Sequence, residues 1–383
     1  MKKPIIYMAS AALAISTMLS GCGSTDSSST TTSTTNNSTI EDTENTTKAP
    51  ITSGDYQKYY DFILANCNND NIIISSESLG SAFYTYSHLL DADKKEELQK
   101  FLNNVDYSKY QNTDEFKLVN RIWANSNKDI HFENTGVEDL VYNIDMSDSK
   151  AATNEKNEYV KENTNGFIEK TPTVFEDSVV VDVMNIAYFK DSWAGGKKSL
   201  SVDSYEFKNA DGTTTETHLL EGFNGNLYKS DNAHCFVTNY SKGFEFGIIL
   251  PDENFSINDI KVDQFISKEA ESVTDCIGKV KFPEFDTLTD VQCNFTDFNL
   301  SVNNVSKDVY GESMDSTIYQ TARIKVDQNG TEAAAVTEVM EKVNGMLMED
   351  DIYEMICDRP FVYYIYDTTN NDVAFMGVLN NLK

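Results

Sequence analysis

Residues Thr321–Val326 (TARIKV) alternate Ala322, Ile324 and Val326 with Thr321, Arg323 and Lys325. That period of two marks a half-buried strand. The strand runs directly into VDQNGTEAAAVTEVMEK, Val326–Lys342, where Thr331 to Glu338 include no aromatic, Leu, Ile or Met side chain. By propensity the run Ala333-Ala334-Ala335 favours a helix. Gly330 suits a turn in front of it and Thr331 suits an N-cap. A strand therefore leads into a small-sided segment with almost nothing large to bury, and any fold for this chain has to accommodate that.

The surrounding pattern is helices first and strands later. DYQKYYDFILANC sets Tyr56, Tyr60, Ile63 and Leu64 on one helical face, and SLGSAFYTYSHLLDADKKEELQKFLNN reads as one or two helices with a break near Asp91-Ala92-Asp93. Ala151–Asn163 reads as a polar surface helix, stopped by Gly166. Asp177–Trp193 (DSVVVDVMNIAYFKDSW) is apolar on both faces through Val179, Val180 and Val181, which predicts a central strand covered on both sides. CFVTNY, FEFGIIL, KVKFPEF, FVYYIYD and VAFMGVL read as further strands between Gly, Asn and Asp turns. This order predicts an α+β fold with antiparallel or mixed sheets.

With 383 residues, 40 % of them hydrophobic, the chain can build a sizeable core. Its 61 acidic and 31 basic residues give a net charge of −30, which argues against nucleic acid as a partner. The N-terminus has Lys2 and Lys3, then an apolar run, then small residues, the pattern of a secretory signal over 1–21. Leu19-Ser20-Gly21-Cys22 resembles the lipobox of bacterial lipoproteins. That resemblance implies lipid attachment at Cys22 and a place on the extracellular face of a bacterial cell membrane, unless the protein is shed. Residues 22–54 are rich in Ser, Thr and Asn and read as a flexible tether before a single domain, 55–383.

Beyond Cys22, five scattered cysteines remain: Cys67, Cys235, Cys276, Cys293 and Cys357. An odd number with no CxxC pair predicts buried free thiols rather than a disulfide framework. GxSxG, HExxH, P-loop and Rossmann glycine patterns are missing. His88, His131, His218 and His234 read as structural. The expectation is a monomer that is not an enzyme and uses no cofactor or metal.

Four segments together resemble the serpin family of protease inhibitors. Asn71–Phe83 (NIIISSESLGSAF) is similar to its strand-to-helix opening, with Ser75 and Ser78 at the two buried serines. NEYVKENTNGFI and VVVDVMNIAYFKDSW are similar to its surface helix and a central strand, with Asn185 and Trp193. V-D-x-x-G-T-E-A-A-A is close to its proximal hinge. Cys357–Asn381, with Arg359-Pro360-Phe361 and Phe375-Met376-Gly377, resembles its C-terminal signature.

The resemblance implies helices packed on a large central mixed β-sheet, smaller sheets, and an exposed reactive loop at about 330–356. It further implies an irreversible suicide inhibitor of serine proteases. The loop is bait, and once cleaved it inserts into the main sheet as a new strand, carrying the covalently bound protease with it. The hinge would be Gly330, Thr331, Glu332, Ala333, Ala334, Ala335 and Thr337. The family register turns Thr331, Ala333, Ala335, Thr337 and Val339 inward, all uncharged and none large. Glu341 also falls inward, where a carboxylate is costly unless solvated or paired. The register places the scissile bond at Asn344–Gly345, within a bait window of Lys342, Val343, Met346, Leu347 and Met348 that suits elastase-, chymotrypsin- or subtilisin-like pockets.

Two departures stand out. Ser76 occupies a common proline position, and Gln320 stands where a His is common. Ser75, Ser78, Asn185 and Gln320 would still form the polar cluster that holds the sheet shut. The alternative reading is a non-inhibitory surface lipoprotein, a binding module of the same fold.

Overall fold

The computed structural model describes residues 56–110, 112–273, 277–302, 304–312, 318–331 and 352–382. The signal, the tether, Cys22, Cys276 and residues 332–351 lie outside them. Helices α1 (Gln57–Asn66), α2 (Ser76–Ser87) and α3 (Ala92–Phe101) come first, with strand β1 (Ile72–Ile74) between α1 and α2. Next come β2 (Phe116–Asn125), β3 (Val141–Ile144), α4 (Ser149–Asn163), β4 (Val181–Phe189) and β5 (Asp191–Ser192). The short strands β6 (Ser199–Leu200), β7 (Tyr205–Lys208), β8 (Thr214–Thr217), β9 (Leu219–Glu221) and β10 (Gly225–Lys229) lead into the long β11 (Ala233–Asn239) and β12 (Phe244–Pro251). After α5 (Val262–Ile266) follow β13 (Glu271–Ser272), β14 (Ile277–Pro283), β15 (Phe285–Cys293), β16 (Ile318–Asp327) and β17 (Gly330–Thr331). The chain closes with β18 (Ile352–Ile356), β19 (Phe361–Asp367) and β20 (Asp372–Leu379). The fold is α+β.

The largest sheet is antiparallel, in the order β1-β20-β19-β12-β11-β10-β13. Its central strands β20, β19 and β12 are buried almost throughout because both of their faces are covered, whereas the edge strands β10 and β13 are polar and largely exposed. Along β19, Val362 and Tyr364 join the core formed with α1, α2 and α3, while Phe361, Tyr363 and Ile365 join a second core. That second core is completed by Phe116 of β2, Ala187 and Phe189 of β4, and Ala322, Ile324 and Val326 of β16. Strict alternation along one strand thus feeds two cores.

The strands on the far side of this second core fall into two groups. One is β3-β2-β4, with β2 and β3 parallel. The other is β15-β16-β17-β5. Among the described residues no backbone ladder joins β4 to β16. A cleft of about 770 Å³ borders this seam, lined by Val179–Val183 on one side and Ile318 and Tyr319 on the other.

The expected strand from Asp177 is corrected here, because the strand begins at Val181. Its first half is only half-buried, since no strand covers that edge among the described residues. The strands enclosed on both faces are the central ones of the large sheet, β12, β19 and β20. Helix α4 starts at Ser149, two residues before the expected position. Its N-cap is Asp148, whose side chain accepts the Ala151 N–H at 3.1 Å. Gly166, at φ +82°, returns its N–H to the Lys161 carbonyl and ends the helix.

Candidate functional site

The site has two parts, both on the seam. At its middle, Ser75 is the N-cap of α2, accepting the Ser78 N–H at 3.1 Å. The Gln320 carboxamide of β16 clasps the Ser75 backbone. Its Oε1 accepts the N–H at 3.0 Å, and its Nε2 donates to the carbonyl at 2.9 Å. The Ser75 hydroxyl donates to the Ala374 carbonyl of β20 at 2.8 Å. One helical turn on, the Ser78 hydroxyl donates to Asn185 Oδ1 on β4. The Asn185 amide donates to Asn120 on β2, and Asn120 Nδ2 donates to Ser81 Oγ at 2.9 Å.

One face of α2 therefore holds β16, β4 and β2 through a row of neutral hydrogen bonds that crosses the seam. The structure brings Ser75, Ser78, Asn185 and Gln320 together. Asn120 and Ser81 were missed by the sequence reading. Ser81 sits three residues from Ser78 on the same helical face, a signal that was present. Asn120 becomes meaningful only because the register puts it opposite Asn185.

At the upper end lies the hinge. After Asp327 the chain turns through Gln328–Asn329 and comes back as β17. Val326 pairs with Thr331 and Asp327 with Gly330 on one side, and Gly330 pairs with Ser192 and Thr331 with Asp191 on the other. The first two hinge residues are thus strand, wedged between β16 and β5, rather than a turn and a helix cap. Gly330 has φ +151°, and a Cβ there would fall 2.1 Å from the Asp191 carbonyl oxygen, so a side chain does not fit. Thr331 is 2 % exposed and its hydroxyl hydrogen-bonds the Tyr240 hydroxyl.

Trp193 belongs to this end and not to the α2 cluster. Its Nε1 donates to the Asp327 carbonyl at 2.8 Å, its N–H donates to the Asn329 carbonyl at 3.1 Å, and its ring stacks on Tyr240 at 4.6 Å. From Ile318 to Lys325 the second edge of β16 has no backbone partner among the described residues, and neither has the outer edge of β4. Two unpaired edges facing one another, with a strand already started between them, are what an additional strand needs.

The histidines have structural partners. His88 Nδ1 is 2.8 Å from the Thr135 carbonyl and His218 Nδ1 is 2.9 Å from that of Ser201. His234 pairs with Asp252 at 2.7 Å and stacks on Tyr353, and exposed His131 lies near Asp129 and Glu133. Among the described residues no group of three or more His, Cys, Asp or Glu side chains is placed to hold a metal. Cys67, Cys235, Cys293 and Cys357 are buried free thiols. Asn344, Gly345, the bait window and hinge residues from Glu332 onward lie outside the described residues.

Comparison with known proteins gives a consistent family. The family model Serpin (serine protease inhibitor) matches residues 57–382. A serpin-like protein of Thermococcus kodakarensis is 25% identical over 294 residues, 70% of this chain and 66% of that protein. Iripin-1 of Ixodes ricinus is 25% identical over 255 residues, 62% of this chain and 64% of that protein. The matched stretch spans just under two thirds of the length of these relatives. Among solved structures, the thermophilic serpin tengpin in its native state is similar, with TM-score 0.71 and 22% identity, over 88% of this chain and 96% of that one. Native protease nexin-1 with heparin gives TM-score 0.69 and 19% identity, over 86% of this chain and 98% of that one.

Proposed function

The chain belongs to the serpin family, and from that premise we propose that it is a suicide inhibitor of serine proteases working by loop cleavage and strand insertion. Strand addition and release of stored strain are processes for which serpins are themselves type cases. The observation that carries the reading is the seating of Thr331. Its side chain is buried towards Tyr240 while its backbone is paired on both sides. A strand continuing from it turns Ala333, Ala335, Thr337 and Val339 the same way, because side chains alternate. All are uncharged, so each can enter the seam without stranding a charge.

The bait is the Asn344–Gly345 bond within Lys342–Met348. The apolar side chains of that window favour elastase-, chymotrypsin- or subtilisin-like targets. The protein acts outside the cell as a monomer, lipid-anchored through Cys22 and held off the membrane by residues 22–54.

The test is incubation with a panel of serine proteases. A covalent complex that survives boiling in detergent is expected, with the cut mapped by mass spectrometry to 342–349. Thr331→Arg puts a charge into the buried hinge position and should turn inhibitor into substrate. A Thr331→Arg protein that still traps the protease would refute the mechanism. Cleaved inhibitor should also melt well above intact protein. Equal melting temperatures would instead favour a binding module that shares the fold.

A further inference from the structure

Trp193–Lys198, the loop that joins β5 to β6, closes on the hinge turn. Successive carbonyls of that turn point into it. The Asp327 carbonyl accepts Trp193 Nε1–H at 2.8 Å, that of Gln328 accepts the Lys198 N–H at 2.7 Å, and that of Asn329 accepts the Trp193 N–H at 3.1 Å. Both ends of one short loop thus grip the turn that sets Gly330 and Thr331 between β16 and β5. The loop is tied within itself in two ways. The Gly196 N–H returns to the Trp193 carbonyl at 3.1 Å, with Gly195 at φ +75° in the third position of that turn, where glycine is favoured. The second tie is a side chain. The Lys198 ammonium folds back and donates to the Ala194 carbonyl at 3.0 Å. It also lies 5.1 Å from the centroid of the Phe223 ring, which stands edge-on to Trp193.

Lys198 is an unusual residue to find in this place. It is 8 % exposed, whereas the neighbouring Lys197 is exposed. Among the described residues Lys198 makes no ion pair, so its charge is buried against one carbonyl and one aromatic face. A buried cation without a carboxylate costs stability, and an apolar side chain of the same length would remove that cost. Global stability is therefore no reason for the ammonium to be there, while the loop it closes is the one that grips the hinge turn.

We propose that Lys198 is a positioning residue for the hinge: its ammonium closes the Trp193–Lys198 loop into a claw on Asp327–Asn329, and the claw holds Gly330 and Thr331 as strand before the reactive loop is cut. The bearing on inhibition rests on the insertion reading above. With the first residues of the new strand already paired, insertion continues a strand instead of starting one. The claw itself can be read without any protease.

Lys198→Met separates the claw from a plain packing role, because the two give opposite signs. The substitution keeps side-chain length and the contact with Phe223 and removes the ammonium. The melting temperature should hold or rise, since a buried cation is gone, while the hinge should loosen. The chain has two tryptophans, so Trp123→Phe leaves Trp193 as the only one. In the full-length protein with that background, Lys198→Met should shift Trp193 emission to the red. Hydrogen exchange in peptides covering Trp193–Lys198 and Val326–Thr331 should run about 10- to 100-fold faster, the size of one lost hydrogen bond from a charged donor. Peptides of β12 and β19 should keep their protection. Lys197→Met makes the same charge change on an exposed neighbour and should alter neither signal. Gly195→Val strains the turn at positive φ and opens the claw from its other side, which keeps the test decisive if Lys198→Met fails to fold. Parental emission and exchange in Lys198→Met, the same loosening in Lys197→Met, or a loss of protection that runs through the large sheet overturns the claw. With serine proteases, Lys198→Met should consume more inhibitor for each protease trapped, and an unchanged ratio beside a loosened hinge overturns the link to insertion. A loosened hinge in a protein whose parent traps no protease leaves the claw standing and removes the inhibitor reading. Trapping by the parent with an unaltered hinge in Lys198→Met does the reverse.

Discussion

Gln320→Met removes both hydrogen bonds across the middle of the seam while keeping side-chain length and nearly its volume, so little cavity term enters. The loss can be worked from the partners. The Ser75 carbonyl keeps a second donor, the Leu79 N–H at 3.0 Å, and loses only one of two bonds. The Ser75 N–H has Gln320 Oε1 as its partner and is left buried without it. An orphaned buried donor costs about 1–3 kcal/mol, and the lost bond to the carbonyl adds about 0.5–1.5 kcal/mol. The sum is about 1.5–4.5 kcal/mol. At about 2 °C per kcal/mol for a domain of this size, the native protein should melt on the order of 5 °C lower. The measurement is a calorimetric scan of intact protein at one fixed rate, because the melting temperature of a protein that unfolds irreversibly depends on the scan rate. Lys325→Met is the control, five positions along the same strand on its exposed side, and should move the melt by less than about 0.5 kcal/mol equivalent. A Gln320→Met protein melting within 1 °C of its parent would show that the clasp on Ser75 contributes nothing and would refute the argument.

Substitutions at two other places test the walls of the site. Gly330→Val cannot keep the present backbone, because its Cβ would meet the Asp191 carbonyl at 2.1 Å and the Ser192 Cα at 2.8 Å. It should unseat β17 and red-shift Trp193 without unfolding the large sheet, and a Gly330→Val protein with parental emission would contradict the wedge. Lys156 of α4 is fully buried, 3.6 Å from Asp182 of β4, and its ammonium donates to the Thr173 carbonyl at 2.8 Å. Burial pulls the ammonium pKa down, and the Asp182 carboxylate opposes that. Asp182→Asn strands the buried cation and should cost about 3 kcal/mol, whereas Lys156→Met leaves a carboxylate that is a quarter exposed and should cost well under that. Urea unfolding of both variants checks the order, and equal losses would mean the pair is not asymmetric in burial.

Much of this molecule could be read from local pattern. The alternation in Thr321–Val326 states which side chains of β16 enter the core, and it does so from the residues alone. The resemblance set Ser75 and Ser78 at a strand-to-helix opening, and both are buried there, with Ser75 as the N-cap of α2. Local pattern misjudged Val179–Val181, because an apolar run states that a face prefers burial but not that a neighbour covers it. It also passed over Asn120, Ser81 and Asp191, whose residue types are ordinary on a long strand, a helix and a two-residue strand.

Period and propensity reach only a few residues along the chain, and that reach is enough for the α+β order, the core-facing positions and the composition of the hinge. Which polar groups meet is set by partners far away in the chain. Gln320 clasps Ser75 across 245 positions and Tyr240 reaches Thr331 across 91. It took the packing of the two sheets against each other to set β16 and β4 face to face without a ladder between them, and to put an aspartate in the wall of the seat where the hinge begins.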